Sequence, residues 1–240
     1  MLKDIKLEDI LFLDVETVPQ YETYPDVPDK MRKLWDRKAS YLVKENETAE
    51  SIYSRAGIYA EFGKIICISV GLIVNKNEER FFRIKSFSGD IENTILSDFS
   101  LMVNRFCQKP NAMLCAHNGK EFDFPYIARR MLINHISLPE ILDVAGKKPW
   151  DVKFLDTMEL WKFGDYKHYT SLDLLTSIFN IPSPKDDIDG SQVAEVFYKL
   201  GDIARIVKYC EKDVLSVAQL MLRYRNEDII PDKNIEIIKE

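Results

Sequence analysis

Four acidic side chains in three short patterns are the residues of this sequence best suited to chemistry. Asp14 and Glu16 stand two residues apart at the end of an apolar run, so in a strand their side chains point to the same side. Adjacent carboxylates repel each other unless a cation lies between them, and Mg²⁺ and Mn²⁺ prefer oxygen ligands of this kind. The first pattern therefore predicts a metal site, with a solvated acidic pair at a strand end as the alternative.

The second and third patterns lie at Asn118–Asp123 and Tyr209–Asp213. Asp123 follows another apolar run and begins a predicted helix, where a carboxylate also serves as a cap or a dipole partner. Tyr209 and Asp213 are four residues apart in a long predicted helix and so lie on one face. Asp213 comes close to the apolar stripe of that helix, where a carboxylate needs a partner such as a metal ion. A surface aspartate beside a half-buried tyrosine is the alternative reading.

Apolar runs and amphipathic stretches predict the elements that position these residues. The first strand is predicted from the apolar run 10–13, which ends in Asp14–Thr17, and Pro19 is predicted to stop it. A hairpin is predicted at 64–87, and further strands at 112–116 and 153–156. Helical periodicity is found at 92–107, 125–134, 157–163, 170–179, 190–199 and 202–225. This order predicts one α/β domain over residues 1–240, with a mixed five-stranded sheet flanked by helices.

Residues 20–60 are predicted to be a helical insertion after the first strand, with helices near 28–39 and 47–59. The segment is rich in tyrosine and charged residues. It is compatible with a lid or strand-guiding wall beside Asp14, and equally with a helical cap that only covers the sheet.

Composition limits the classes of function. Of the 240 residues 46% are hydrophobic and 30% charged, which suits a globular domain with a real core. The net charge of −6 argues against a protein that binds nucleic acid through an overall positive charge. It does not argue against an enzyme that binds phosphate through metal cations. No apolar run approaches the ~20 residues of a membrane span, and the N-terminus lacks a signal-like apolar segment. We therefore expect a cytoplasmic protein without a membrane partner.

The cysteines and histidines do not form a metal-binding pattern. No C-x-x-C pair is present, and the three histidines are not spaced as a ligand pair, so zinc is not expected. Buried free thiols in a reducing compartment are the expected state of the four cysteines, Cys67, Cys107, Cys115 and Cys210.

In their order and wide spacing, the three patterns resemble the DEDD superfamily of 3′–5′ exonucleases, which has the ribonuclease H-like fold. The match is to the motifs D-x-E (Asp14, Glu16), N-x-x-x-F-D (Asn118, Phe122, Asp123) and Y-x-x-x-D (Tyr209, Asp213). The resemblance extends over nearly the whole chain, from Phe12 to about Arg225.

The last motif separates two branches of this superfamily. One branch has a histidine five residues before the final aspartate, where this chain has Lys208, and the other has a tyrosine four before, here Tyr209. The chain therefore resembles the tyrosine (DEDDy) branch, and neither His117 nor His168 is expected to be the base. The stretches 60–66 and 187–193 are similar to a predicted exonuclease family related to the proofreading domain of family B DNA polymerases.

The resemblance implies a metal-dependent 3′–5′ exonuclease that hydrolyses phosphodiester bonds at the 3′ end of single-stranded nucleic acid, with DNA favoured over RNA. Two divalent cations, Mg²⁺ or Mn²⁺, are the implied cofactors. Asp14 would bridge both, Glu16 and Asp213 would complete the shell of the first, and Asp123 would hold the second. Tyr209 would orient the attacking water, because its ordinary pKa near 10 makes it a poor general base at neutral pH.

Contacts to the substrate are predicted at Thr17, Asn118 and Phe122. Phe12 and Tyr126 could lie against a terminal base, although core packing is the more usual role of such residues. A local basic rim is compatible with six residues that a solvated charged face also explains, namely Arg129, Arg130, Lys147, Lys148, Lys162 and Lys167.

Three other classes of protein explain the sequence less well. A catalytically silent nucleic-acid-binding module on the same fold is the main alternative, but a degenerate member should have lost a carboxylate and all four are present. A haloacid dehalogenase-type phosphatase needs an aspartate and a threonine where this chain has Glu16 and Val18. A structural protein would have to produce three ordered motifs by coincidence. Repair or replication partners are left open.

Overall fold

A six-stranded sheet organises the computed structural model, which describes residues 2–165, 169–182 and 188–238. Its strands are Ile10–Pro19 (β1), Gly63–Lys76 (β2), Glu79–Ser88 (β3), Met113–Ala116 (β4), Phe154–Asp156 (β5) and Ile235–Ile237 (β6). Their order across the sheet is β5-β4-β1-β2-β3-β6. β1, β4 and β5 run parallel, β2 is antiparallel to both β1 and β3, and β6 is parallel to β3.

This mixed sheet with flanking helices has the predicted α/β class and is consistent with a ribonuclease H-like fold. The prediction of five strands was wrong, because β6 pairs with Phe82–Ile84 at the edge of the sheet. A three-residue edge strand is too short to show a periodic signal in the sequence.

Seven α-helical segments are found in the described residues. They are Asp29–Ala39 (α1), Glu92–Phe106 (α2), Asp123–Ile133 (α3), Thr157–Lys162 (α4), Leu172–Ile178 (α5), Val193–Glu195 (α6, followed by a π-helical turn at Val196–Leu200) and Ile203–Tyr224 (α7). None of the helices in the described ranges combines the length and apolar character needed to cross a bilayer.

Side chains of β1 alternate between two cores, as expected for a strand buried on both faces. Leu11, Leu13 and Val15 belong to the core that includes α2 and α3. Ile10 and Phe12 belong to the opposite core, which includes α7. The even-numbered positions of β1 therefore face α7.

β1 begins with the predicted apolar run, continues through Asp14 and Glu16, and ends at Pro19, the residue predicted to stop it. β2 pairs with Leu11–Pro19. Within β1, only Ile10–Phe12 pair with β4. The second half of β1 therefore extends past the end of this parallel neighbour. The register shifts between Glu16 and Thr17, as at a β-bulge.

The connection between β1 and β2 has its own small core, which contains Trp35 and Tyr53. It contains α1 and a 3₁₀ segment at Tyr53–Ile58. The first predicted helix of this region is thus present, whereas the second predicted stretch, 47–59, forms only the shorter 3₁₀ segment. That the connection is an insertion relative to related proteins remains a prediction.

Candidate active site

Asp14 and Glu16 lie on β1 beyond the end of β4, on the face of the sheet that α7 covers. They stand between two apolar clusters of that face, one containing Phe12 and Val214 and the other containing Val18 and Cys210. Glu16 is buried and Asp14 is half-buried. The alternation of β1 thus directs both carboxylates toward α7, as their spacing predicts.

Asp123 comes to the same place from the start of α3. It is 3% exposed, and its Oδ1 accepts a hydrogen bond of 3.2 Å from the backbone N–H of Val15. This bond ties the second predicted motif to the first. The alternative role of Asp123 as a helix-start residue is also realised, because it is the first residue of α3.

The third motif reaches the cluster from α7. Asp213 is half-buried, and its negative charge contributes to raising the pKa of the carboxyl groups of Asp14, Glu16 and Asp123. Tyr209 is half-buried one turn earlier and packs against the cluster that contains Val18. The four acids predicted from the sequence are therefore grouped by three separate elements, β1, α3 and α7.

The pKa values of the Asp14, Glu16 and Asp123 carboxyl groups are raised, and the main cause is burial. Loss of hydration raises the pKa of Asp14 and Glu16 well above the ordinary range, and repulsion from the neighbouring carboxylates adds to it. Burial raises the pKa of Asp123 to about 7, although hydrogen bonds from backbone N–H groups oppose the change. Charged carboxylates in this cluster are thus costly unless a cation compensates them.

The donor atoms fit a hard divalent cation. Side-chain ligand atoms of Asp14, Glu16 and Cys210 all lie within 4.8 Å of one another. Asp14 Oδ2 is buried and accepts no hydrogen bond in the described part of the chain. A buried carboxylate oxygen without a hydrogen-bond partner is unusual and fits a group that holds a metal ion.

Cys210 is a neighbour of the site that the sequence analysis did not predict. Its thiol donates a hydrogen bond of 3.4 Å to the backbone carbonyl of Asp14. Burial, together with nearby Cys67, raises the pKa of this thiol well above its ordinary value, so it stays protonated. Because a protonated thiol is a poor ligand for Mg²⁺ or Mn²⁺, its contact with Asp14 fits a packing role. Its place in the third motif, beside Tyr209, was the available signal.

Asp156 organises the loop that contains Asn118 and was also missed. This buried carboxylate accepts hydrogen bonds from the backbone N–H groups of Asn118 (3.0 Å) and Lys120 (3.1 Å). It also caps α4 by accepting from the N–H of Met158 and Glu159. Asn118 has φ of 60° there, a conformation that asparagine tolerates better than most residues. The position of Asp156 between a strand and a helix was the available sequence signal.

The three predicted substrate-contact residues occupy different surroundings. Thr17 and Phe122 line a cleft beside Glu16, and both are half-buried. Asn118 is half-buried in the loop that Asp156 holds, and its Oδ1 is buried without a hydrogen-bond partner among the described residues. Whether these three touch a substrate remains a prediction.

Two aromatic residues belong to the core instead of the site. Phe12 is fully buried and packs edge-on against Phe82 at 6.0 Å. Tyr126 is 2% exposed, and its hydroxyl donates to the carbonyl of Gly57. Neither can lie against a terminal base, and core packing is their role.

The predicted basic rim loses one member. Arg130 is buried and forms an ion pair with Glu92, so it does not face solvent. Arg129, Lys147 and Lys148 are exposed and Lys162 is half-buried. Lys167 lies outside the described residues, as do His168 and Asp187.

His117 is occupied by local hydrogen bonds. Its Nδ1 lies 2.9 Å from Thr157 Oγ1 and its Nε2 lies 2.9 Å from the carbonyl of Thr170. Burial lowers its pKa, so the neutral imidazole is favoured. This position holds two loops together, in line with the expectation that His117 is not the base.

A family model described as a predicted 3′–5′ exonuclease related to the exonuclease domain of PolB matches residues 58–229, more than half of the chain. The match confirms the similarity expected from the sequence. The matched region contains the second and third motifs, whereas Asp14 and Glu16 precede it. The chain therefore belongs to this family of predicted 3′–5′ exonucleases related to the exonuclease domain of PolB.

Proposed function

We propose that this protein is a metal-dependent 3′–5′ exonuclease that hydrolyses phosphodiester bonds at the 3′ end of single-stranded nucleic acid, with DNA favoured over RNA. The observation that carries the proposal is the buried grouping of Asp14, Glu16 and Asp123, with the charge of Asp213 acting on all three. Family membership supports the direction of cleavage. We also propose that residues 1–240 act as one domain.

The carboxylates have distinct roles in this proposal. Asp14 would be shared between two cations, Glu16 and Asp213 would complete the ligands of the first, and Asp123 would hold the second. When bound, Mg²⁺ or Mn²⁺ at such a site supplies an acidified water and stabilises the charge of the departing oxygen. The unpartnered Asp14 Oδ2 and the raised pKa values of its neighbours support this ligand set.

Tyr209 would position the attacking water through its hydroxyl group. Its place one turn before Asp213 on α7 puts both on one face of the helix. Asn118, Thr17 and Phe122 would contact the terminal nucleotide. The cleft that Thr17 and Phe122 line beside Glu16 supports the last two assignments.

Digestion of a 5′-labelled single-stranded DNA and an RNA of the same sequence tests the proposal. Each is incubated with the protein in Mg²⁺, Mn²⁺ or EDTA, and products are resolved by length. We expect metal-dependent shortening from the 3′ end, faster for DNA. Asp14→Asn should lower the rate roughly 10²–10⁴-fold, since it removes a ligand shared by both cations.

The exposed Asp98 on α2 gives a matched control, because Asp98→Asn makes the same chemical change away from the cluster. This variant should digest DNA at the wild-type rate. Full activity of Asp14→Asn would overturn the assignment of the site. Binding of the oligonucleotides without cleavage in either cation would favour the catalytically silent binding module instead.

A further inference from the structure

A cleft of about 380 Å³ opens beside Glu16, between β1 and the connection that follows it. Its walls come from β1, from the 3₁₀ segment that contains Arg55 and Ile58, from Phe122 before α3, and from the turn at 190–194. The volume lies within the roughly 300–1,000 Å³ of small-molecule sites. The cleft is therefore large enough for a ligand next to the carboxylate cluster.

The described lining of this cleft contains two charged side chains, Glu16 and Arg55. Glu16 belongs to the carboxylate cluster, and Arg55 is the single cationic side chain among the described residues of the lining. Arg55 is exposed, and its guanidinium forms no hydrogen bond or ion pair within the described ranges. A guanidinium that has no protein partner is available to a phosphate group, which it can bind through two parallel hydrogen bonds.

The lining also has an apolar part. Ile58 is 51% exposed, and the half-buried ring of Phe122 contributes to the same lining. The flat face of a nucleobase can pack on such side chains. The cleft thus combines a phosphate-binding cation, an apolar surface and the carboxylate cluster.

The segment that supplies Arg55 is held firmly against β1. The hydroxyl of Tyr126 donates a hydrogen bond of 2.7 Å to the carbonyl of Gly57. The backbone of Gly57 lies so close to β1 that a Cβ atom there would be 3.0 Å from the carbonyl carbon of Val18. The backbone that supplies Arg55 therefore has a defined position relative to β1, as a substrate contact requires.

An adjoining cleft, which shares Pro19 and Ser54 with the first, has a more acidic lining. Its lining includes Glu22, Glu50 and Glu195, and its lysine, Lys199, already pairs with Glu195. A polyanion would be repelled there. This contrast favours the cleft beside Glu16 as the place for a phosphate-bearing ligand.

We propose that Arg55 and Ile58, which line this cleft, are further contacts for the single-stranded substrate, an inference that rests on the proposed function. Arg55 binds a backbone phosphate next to the terminal nucleotide, and Ile58 and Phe122 pack against its base. The connection between β1 and β2 then contacts the substrate beside Glu16. Its residue Arg55 precedes the part of the chain that matches the family.

Binding of a fluorescent single-stranded DNA, measured by anisotropy, tests Arg55 separately from catalysis. Ca²⁺ replaces Mg²⁺ because it takes similar oxygen ligands, and gel electrophoresis verifies that the DNA stays intact. Arg55→Ala should weaken binding roughly tenfold, as expected for the loss of one charge-assisted contact. The dependence of log Kd on log salt concentration should become shallower by about 0.7, the value of one single-strand phosphate contact.

Arg37 on α1 provides the control, because it is an exposed arginine of the same connection but does not line the cleft. Arg37→Ala should bind as the wild type does, and Arg55→Lys should recover part of the lost affinity. A circular DNA of the same length, which has no 3′ end, should bind equally to wild type and Arg55→Ala. Equal weakening by both alanine variants, or none by Arg55→Ala, would overturn the inference.

These outcomes distinguish the inference from the proposed function. If the wild type binds linear DNA but cleaves it in neither Mg²⁺ nor Mn²⁺, the exonuclease proposal fails while the binding data still judge Arg55. If cleavage is normal and Arg55→Ala changes neither Kd nor KM, the exonuclease proposal stands and the role of Arg55 is refuted. Absence of wild-type binding to the linear DNA also refutes it.

Discussion

Asp123 combines the position of a helix-start residue with that of a proposed cation ligand. Its carboxylate lies at the positive end of α3 and accepts a hydrogen bond from Val15, and both interactions favour the charged form. Burial outweighs them and raises its pKa to about 7. Near neutral pH, protons would therefore compete with the proposed cation for this carboxyl group.

Without divalent cations, the protein should become less stable as the pH rises from 5 to 8. Folding raises the pKa of Asp123 from 3.8 to about 7, so between these values the folded state keeps a proton that the unfolded chain has released. The free energy of unfolding then falls as the pH rises, by about 1.4 kcal/mol for each pKa unit and on the order of 2–4 kcal/mol in total. Urea unfolding in EDTA at four pH values measures this slope.

Asp123→Asn is the comparison that assigns the slope to this residue. The variant should lose stability less steeply than the wild type, although Asp14 and Glu16 still contribute in the same direction. Burial lowers the pKa of His117, which gives an opposite slope below its ordinary pKa in both proteins. Equal slopes in the two proteins would contradict the assignment of the raised pKa to Asp123.

At this scale, the sequence predicted the residues whose spacing is local. Asp14 and Glu16 share a face because they are two apart in a strand, and Asp123 and Asp213 follow from their own motifs. Cys210 and Asp156 were missed because their roles depend on partners distant in the chain, the carbonyl of Asp14 and the loop at Asn118. Short-range spacing carries no information about such contacts.

One buried ion pair connects four elements around the site. Glu92, at the start of α2, accepts a hydrogen bond of 2.7 Å from the N–H of Ile65 on β2 and others from Arg130 on α3. Arg130 in turn donates to the carbonyl of Ala60 in the connection between β1 and β2. The pair therefore fixes α3, the helix that supplies Asp123, relative to β2 and to the segment that supplies Arg55.

Arg130→Met should destabilise the protein by about 3–5 kcal/mol, because it leaves the carboxylate of Glu92 buried without its counter-charge. Arg129→Met, the same change at the exposed neighbouring position, should alter stability by less than about 0.5 kcal/mol. Urea unfolding of both variants measures the difference. Similar stabilities would show that the pair does not bear on the fold.

The predicted elements were most accurate where a strong apolar pattern decides them. The amphipathic pattern of 92–107 became α2 at Glu92–Phe106. β1 ends at Pro19 as predicted, because proline has no N–H group with which to continue the ladder. The second half of the 20–60 segment formed 3₁₀ structure, since its contacts to β1 and Tyr126 set its shape more than helix propensity does.

On the scale of the whole molecule, the carboxylates arrive from three separate parts of the chain. β1 supplies Asp14 and Glu16, α3 supplies Asp123, and α7 supplies Asp213. Their mutual repulsion therefore acts between elements that the apolar cores hold together. A cation bound among them would connect these elements, so the stability of the fold and the occupancy of the site are linked.

Mg²⁺ or Mn²⁺ should raise the melting temperature of the wild type. A ligand that binds only the folded state at 100 times its Kd contributes about 2.7 kcal/mol. Asp14→Asn should show little of this rise, because it removes the ligand with the buried unpartnered oxygen. Without cations, the same variant should melt above the wild type, since one of the repelling carboxylates is gone. Thermal unfolding in EDTA and in each cation measures both effects.

The two effects of Asp14→Asn have opposite signs, and this separates a metal site from a merely buried acid. Loss of a structural carboxylate would lower the melting temperature with and without cations. Loss of a metal ligand raises the melting temperature measured without cations and abolishes the rise that cations cause. Asp98→Asn, on the exposed face of α2, should behave as the wild type in both conditions. If Asp14→Asn kept the full cation-dependent rise, the cations would bind elsewhere, and the carboxylate cluster could not be the centre that holds them.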